Sequence, residues 1–519
     1  MIDATPILRM LSRRRLSVLE RQDAAAIQWR QLERMLRRAA DTRFGRDHGF
    51  AAIRDLDGFR RRVPLRRYED FWSAYWQPEF PRLDNVTWPG TVRYFAKTSG
   101  TSSGDSKYVP VTSEIMAGYR RAVLDMLAFH LRDRPRSRVL GGQSFMLGGS
   151  TDLEELAPGI RAGDISGIAA QQAPLWARAF MFPPPALARI ADWERKMAIL
   201  GPLSLQHDIR ILGGTASWLL LFLQDVMALR PADLPGCYPA LELIVYGGVN
   251  FAPYRAQFEA LVAGTDIDLR EVYPASEGFL AVADRGVGEG LRLQVDGGLF
   301  LEFVPVEDLD SVAPHRAGLG SVETGVNYAV VVSTPAGLWG YVVGDTVRFV
   351  ELDPPRILVT GRVSSSLSAF GEHLIEEEID RAVTVAAASI GADVVDFTVG
   401  PVFPTGEERR GRHLFVVEFA VGRTGEIGEE RAAAFGRSLD AALCELNADY
   451  AAHRAGDLQM GPPEILVAPP GAFAGWMKVR GRLGAQNKVP RVLADADAMA
   501  ALRALTERGG VRPAGSRTE

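Results

Sequence analysis

Residues 98–107 read Thr-Ser-Gly-Thr-Ser-Ser-Gly-Asp-Ser-Lys: four serines, two threonines, two glycines and a lysine in ten positions. Hydroxyls and unhindered backbone N–H groups are what a triphosphate needs around its oxygens. Gly100 and Gly104 let the chain take positive φ and approach a ligand closely. Lys107 can neutralise charge that backbone dipoles only partly balance. Two familiar patterns are excluded. A Walker loop wants G-x-x-x-x-G-K-[ST], whereas Gly104 is followed by Asp105 and the lysine comes three residues on. The run Gly100-Thr101-Ser102-Ser103-Gly104 spells G-x-S-x-G, but a nucleophile elbow needs a strand running in and a helix running out. The next residues, Tyr108-Val109-Pro110-Val111-Thr112, are β-branched, interrupted by proline and predict a second strand. The loop is thus expected in a strand–loop–strand hairpin.

Two more segments carry chemistry. Val272-Tyr273-Pro274-Ala275-Ser276-Glu277-Gly278 leads into a turn with a hydroxyl and a carboxylate side by side. Near a nucleotide, Ser276 can contact a phosphate while Glu277 holds Mg²⁺ directly or through water. Tyr341-Val342-Val343-Gly344-Asp345 is placed between two strands, and its carboxylate can accept charge-assisted hydrogen bonds from both ribose hydroxyls. His207-Asp208 are neighbours in sequence and rarely face each other, so a structural or surface role is assigned to that pair, to His130 and to His315.

The elements that position these residues follow from length and pattern. A chain of 519 residues exceeds one hydrophobic core, so two or more domains are expected. With 59 basic against 64 acidic residues there is no general attraction to nucleic acid, and Arg13, Arg14 and Arg15 read as a solvated helix face. Cys237 and Cys444 make neither a disulfide framework nor a zinc site, and no segment reaches the length of a membrane span. A reducing, cytoplasmic location is the default. Residues 16–40 predict one helix through Trp29, Leu32, Leu36 and Ala39. Trp72, Tyr75 and Trp76 read as core. Residues 241–246 predict a strand ending at Gly247-Gly248, with a helix over 254–262. Residues 291–295 and 299–303 flank Asp296-Gly297-Gly298 as a hairpin. After Gly361-Arg362 the pattern becomes a compact α+β unit. Its helices carry Ile375, Ile379, Ala382 and Val383, and Phe435, Leu439, Ala442 and Leu446; its strands run over 394–399, 414–421 and 464–467.

Together and in this order, the three motifs resemble the adenylate-forming enzymes, and more specifically the GH3 family of acyl-acid amido synthetases. Thr42-Arg43-Phe44-Gly45, the segment from Val63 to Asp70, Ile211 to Trp218 and Gln486-Asn487-Lys488-Val489-Pro490-Arg491 are similar to other parts of that family. The resemblance implies a mixed α/β fold: a large N-terminal domain of sheets and helices over residues 1–361, which binds ATP and the acyl substrate, and a small mobile α+β domain over 362–519. It implies that a carboxylate attacks the α-phosphate of ATP, with Mg²⁺ present, and that an amine such as an amino acid then displaces AMP. Ser99, Thr101, Ser102, Gly104 and Lys107 would cradle phosphates, and Gly247 and Gly248 would lie against adenine. Tyr273 and Arg362 would also belong to the nucleotide site; Ser276 would touch the α-phosphate, Glu277 the metal and Asp345 the ribose. Lys488 would act in adenylation. Transfer to coenzyme A, or a silent nucleotide-binding scaffold, are the alternatives. This chain departs from the family at Ser365, where an acidic hinge residue is usual, so Gly371-Glu372 is a second hinge candidate. It departs again at Val342, where plant members carry arginine. Trp176, Phe180, Met181, Phe182 and Trp218 are candidate walls for an aromatic or aliphatic acid.

Overall fold

The computed structural model describes residues 3–98, 107–148, 150–190, 193–230, 232–248, 251, 255–363, 366–367, 369–372, 374–392, 394–404, 410–419, 427–455, 460–479, 489, 491–493 and 496–508. The chain divides into two compact units, the change falling after Val363.

The larger unit is built on an eleven-stranded sheet. From edge to edge it runs Phe300–Pro305, Asn327–Ser333, Tyr341–Leu352, Pro355–Arg362, Leu291–Leu293, Gly278–Val282, Asp268–Ala275, Leu243–Gly247, Ile209–Thr215, Gln143–Leu147 and Met181–Phe182. The last five strands pair in parallel and the first seven antiparallel. The two regimes meet at Asp268–Ala275, which is parallel to one neighbour and antiparallel to the other. Buried runs such as Leu243-Ile244-Val245-Tyr246 belong to the parallel half, where both faces are covered. A second, four-stranded sheet pairs Tyr94–Thr98 antiparallel with Lys107–Val111, Thr98 opposite Lys107, as the hairpin reading requires. Helix Ser113–Asp133 follows, capped by the Thr112 hydroxyl.

The predicted helix over 16–40 is two helices, Thr5–Leu19 and Ala24–Ala39, because Asp23 turns extended and caps the second by accepting from the Ala26 N–H at 3.0 Å. Arg15 is not solvated: it pairs with Asp125 at 2.6 Å and Asp296 at 2.7 Å, although Arg13 and Arg14 are exposed. The predicted hairpin around Asp296-Gly297-Gly298 does not form. Leu291–Leu293 lies between Gly278–Val282 and Pro355–Arg362, while Phe300–Pro305 is at the far edge. Buried Gln28 and Gln31 replace the missing ladder. Both amides donate to the Val295 and Leu299 carbonyls at 2.7–3.0 Å and accept from the Leu301 and Gly298 N–H groups at 2.7 Å. Trp76 and Tyr75 are core, in line with their pattern.

The smaller unit has a three-stranded sheet of Val394–Val402, Arg412–Phe419 and Glu464–Ala468. Strand alternation splits its core. Phe415 and Val417 pack with Phe435 and Leu439 of helix Glu429–Leu446. Leu414 and Val416 pack with Phe473, Trp476 and Leu502 of helices Ala472–Val479 and Ala496–Arg508. Glu372, the second hinge candidate, is completely buried; it accepts from the Phe370 N–H at 2.7 Å and pairs with His413 at 2.8 Å.

Candidate active site

The site is built where the sheet changes regime. Ligands of open α/β sheets bind beyond the carboxyl ends of parallel strands, where the topology switches. Here Leu147, Thr215 and Gly247 end in neighbouring register, and Ala275 lies three residues beyond Val272, the partner of Gly247. The turn after Ala275 carries Ser276 and Glu277, so the second motif stands at the switch itself.

Asp345 arrives from the antiparallel side. It does not lie between two strands, as its motif suggested. Tyr341–Leu352 is one continuous strand, and its register against Asn327–Ser333 slips between Ala329 and Val331. Gly344, at φ +97°, takes up the extra length as a bulge. The bulge aims the Asp345 carboxylate at Tyr273, whose hydroxyl donates to it at 2.6 Å. Asp345 also stands opposite Arg362 in the next strand.

Glu277 is 9% exposed. Its carboxyl is pushed above the ordinary glutamate range, first by burial and then by the negative charge of Asp345; the Tyr341 hydroxyl, which donates to it, and Lys107 act the other way. Burial and Glu277 raise Tyr341 in turn, so its hydroxyl remains a donor. The Tyr119 hydroxyl, from helix Ser113–Asp133, donates to the Ala275 carbonyl and pins the turn. The segment after Val63 braces both site strands: Arg66 bridges to Tyr341, and the Tyr68 hydroxyl accepts from the Tyr108 N–H at 2.9 Å. Lys107 lies over the Tyr68 ring at 5.4 Å. Tyr273, Glu277, Asp345, Tyr341 and Lys107 are therefore one group of side chains.

Gly247 and Gly248 are explained by the backbone. A Cβ on Gly247 would stand 2.2 Å from the Val272 carbonyl oxygen, and Gly248 has φ +83°. Ser99, Thr101, Ser102, Gly104 and Lys488 lie outside the described residues, as does the side chain of Arg362. Phe182 packs on Phe145 at 4.8 Å in the core and Trp176 is 70% exposed. His130 is a buried structural residue, bonded to Asp268 at 2.9 Å and Ser137 at 3.0 Å, and His207 contacts Gln143 at 2.8 Å. Sequence reasoning passed over Tyr119, whose contact spans 156 positions and leaves no local signal. It also passed over Glu271.

Glu271 stands beside Tyr246 in register and is pushed up to about 7 by burial. A raised carboxyl favours the native state while protonated. That contribution is complete below the ordinary glutamate value and is lost as pH rises to about 7. Relative to Glu271→Gln, the native chain should therefore lose on the order of 2–3 kcal/mol of stability between pH 4.5 and 7. Urea melts across that range measure it; parallel curves would remove the assignment.

Among the described residues no cluster of three or more His, Cys, Asp or Glu side chains could hold a metal alone. A hard cation shared with phosphate oxygens needs only one or two carboxylates, and the buried Glu277 offers one. Three family models match this chain: the GH3 family N-terminal domain over residues 16–229, the GH3 family central domain over 293–362 and the GH3 family C-terminal domain over 377–497. The chain belongs to the GH3 family. The Tyr119 helix and the 98–107 loop fall in the first GH3 match, and Asp345 falls in the second. A rice relative, the putative indole-3-acetic acid-amido synthetase GH3.10 of Oryza sativa subsp. japonica, is 27% identical over 427 residues, covering 72% of this chain and 86% of its own. The jasmonoyl–L-amino acid synthetase JAR4 of Nicotiana attenuata is 33% identical over 105 residues, 19% of this chain and 18% of its own. The fold is shared with a solved GH3.15 acyl acid amido synthetase in complex with 2,4-DB, at 21% identity and TM-score 0.58 over 94% and 95% of the two chains. It is shared also with a 2-hydroxyisobutyryl-CoA ligase, at 14% identity and TM-score 0.55 over 93% and 92%. Among the described residues no helix is long and apolar enough to cross a membrane.

Proposed function

We propose that this GH3 protein is an ATP-dependent acid–amine ligase. A carboxylate oxygen of a small organic acid attacks the α-phosphorus of ATP, the bond to the bridging oxygen breaks and pyrophosphate leaves. An amine, such as that of an amino acid, then attacks the acyl carbon, loses a proton, and AMP departs. The observation that carries this reading is the meeting of Glu277 and the Tyr273–Asp345 pair at the switch point of a chain matched by all three GH3 domains.

Asp345 is the acceptor for ribose hydroxyls, held in aim by the Tyr273 hydroxyl. Ser276 stands at the end of a parallel strand to receive the α-phosphate. Lys107 and the 98–106 loop contact the outer phosphates, with Arg362 alongside. Gly247 and Gly248 keep the neighbouring strand end low against the base. Glu277 would hold Mg²⁺, which supplies charge neutralisation as negative charge gathers on the phosphates. Lys488 serves adenylation from its C-terminal motif. The chain works as a soluble protein of the cytoplasm, with no nucleic-acid or membrane partner.

ATP–pyrophosphate exchange with Mg²⁺ tests the first half-reaction, using indole-3-acetate, jasmonate, 2,4-DB and 2-hydroxyisobutyrate without an acceptor. Exchange dependent on one class of acid establishes adenylation and names the donor. AMP release stimulated by amino acids supports the amide product; stimulation by coenzyme A alone would replace it with a thioester. No exchange with any acid would overturn the reading.

A further inference from the structure

Lys196 lies in helix Trp193–Ser204 and is 4% exposed. A buried ammonium is retained only where oxygen atoms replace its water. Here Nζ donates to the Gly148 carbonyl at 2.9 Å and to the Ala188 carbonyl at 3.2 Å. Burial pulls the amine below the ordinary lysine range, and the charge of Asp164 opposes that. Asp164 stands at the N-terminal end of helix Ile165–Gln171, and its charge also reaches Tyr119, the residue that pins the Ser276–Glu277 turn.

The position of this cluster matters more than its strength. Gly148 immediately follows Gln143–Leu147 and so sits at the carboxyl end of a parallel strand. Counting from Gly247, the register passes through Thr215 to the neighbours Gly214 and Leu147, two strand spacings away. That is about 10 Å, the length of a small carboxylic acid laid across the strand ends. Two further bonds fasten the same junction. The Ser150 hydroxyl donates to the Arg189 carbonyl at 2.8 Å, and the Thr151 N–H donates to the Ala188 carbonyl at 3.1 Å. Thr151 in turn lies so close to Gly167 of helix Ile165–Gln171 that a Cβ there would stand 3.1 Å from the Thr151 Cα. One ammonium therefore joins the loop after the strand next to the sheet edge, the segment before its own helix and, through charge, the start of a third element.

We propose that Lys196 is a positioning residue for the acyl-acid pocket: its ammonium locks the segments that rim the far end of the parallel strands, and through them sets how tightly the carboxylic acid, but not ATP, is held. This role rests on the ligase reading. In the ligase reading the nucleotide lies against the strand ends at Gly247 and Ala275 and against Asp345; among the described residues the Lys196 ammonium bonds to Gly148 and Ala188, and it meets the Ser276–Glu277 turn only at second hand, through the charge of Asp164 on Tyr119. Loss of the clamp should therefore fall on one substrate.

Lys196→Met keeps most of the side-chain length and removes the ammonium. With whichever acid of the panel drives exchange in the native protein, KM for the acid should rise at least tenfold while KM for ATP stays within twofold. Ser150→Ala, which removes a weaker bond of the same junction, should give a smaller rise with the same selectivity, and it decides the matter if Lys196→Met does not fold. Lys196→Arg should recover part of the loss. Hydrogen–deuterium exchange should quicken in 148–152 and 165–190 of Lys196→Met but not in 268–282. Equal rises for acid and ATP, or no rise for the acid, would overturn the assignment. Absence of exchange in the native protein with every acid is a separate failure; it would remove the ligase reading and this inference with it.

Discussion

Glu277→Gln should lose about 10²–10³-fold of ATP–pyrophosphate exchange, the size of effect seen when one preorganised electrostatic group is removed from a transition state, and yet unfold no more readily than the native chain. The two halves of that result have one cause. Burial and the neighbouring Asp345 charge raise the Glu277 carboxyl, so its ionised form is held against a cost to folding. A raised carboxyl supports the native state while protonated, and that support is lost as pH rises through its folded value. The amide carries no such cost at pH 8, while the Tyr341 hydroxyl keeps an oxygen to donate to. What glutamine cannot supply is charge for a cation or for the phosphates. Exchange rates at saturating Mg²⁺, read beside a denaturant melt at pH 8, test both halves. Retained exchange would remove Glu277 from the chemistry; a large fall in stability would make its role one of folding.

Asp345→Asn should raise KM for ATP roughly 10- to 100-fold, since the charge-assisted bonds it removes are worth about 1.5–3 kcal/mol each. It carries a second signature that a damaged fold would not produce. Asp345 is one of the charges that hold Glu277 up, so neutralising it lets Glu277 ionise at lower pH. The acid limb of the pH–rate profile should therefore move toward lower pH, even as ATP binds more weakly. Tyr273→Phe removes the 2.6 Å bond that aims the carboxylate and should raise KM for ATP by a smaller factor, leaving the limb where it was. An unmoved limb in Asp345→Asn would mean that the two acids do not act on one another in solution.

Much of this arrangement was legible in the chain because it rests on short-range pattern. The hairpin that brackets the 98–107 loop announced itself through the β-branched run after the glycines, and Tyr341 to Asp345 carried its own aspartate. The apolar run from Leu414 marked a strand of the smaller unit, found as Arg412–Phe419. The failures share a different origin. Asp296-Gly297-Gly298 has the composition of a tight hairpin, but the carbonyls on either side are claimed by Gln28 and Gln31, some 270 positions earlier, and no local rule sees such a competitor. Arg15 looked like one more surface arginine until Asp125 and Asp296 were brought to it. The bulge at Gly344 reads as a turn because glycine before aspartate is common to both, and only pairing on two sides distinguishes them. Gly247, read as making room for adenine, is already required by the Val272 carbonyl.

The change of pairing regime at Asp268–Ala275 also says something about how such a chain acquires its activity. The strands from Asn327 to Arg362 are joined by short connections and can pair soon after they are made, whereas each parallel neighbour on the other side waits for an intervening crossover to close. Tyr273 and Glu277 belong to the seam between these early and late halves. In a full-length chain refolding from denaturant, the antiparallel pairs should therefore form before the nucleotide site does, and ATP can favour only the final joining of the two.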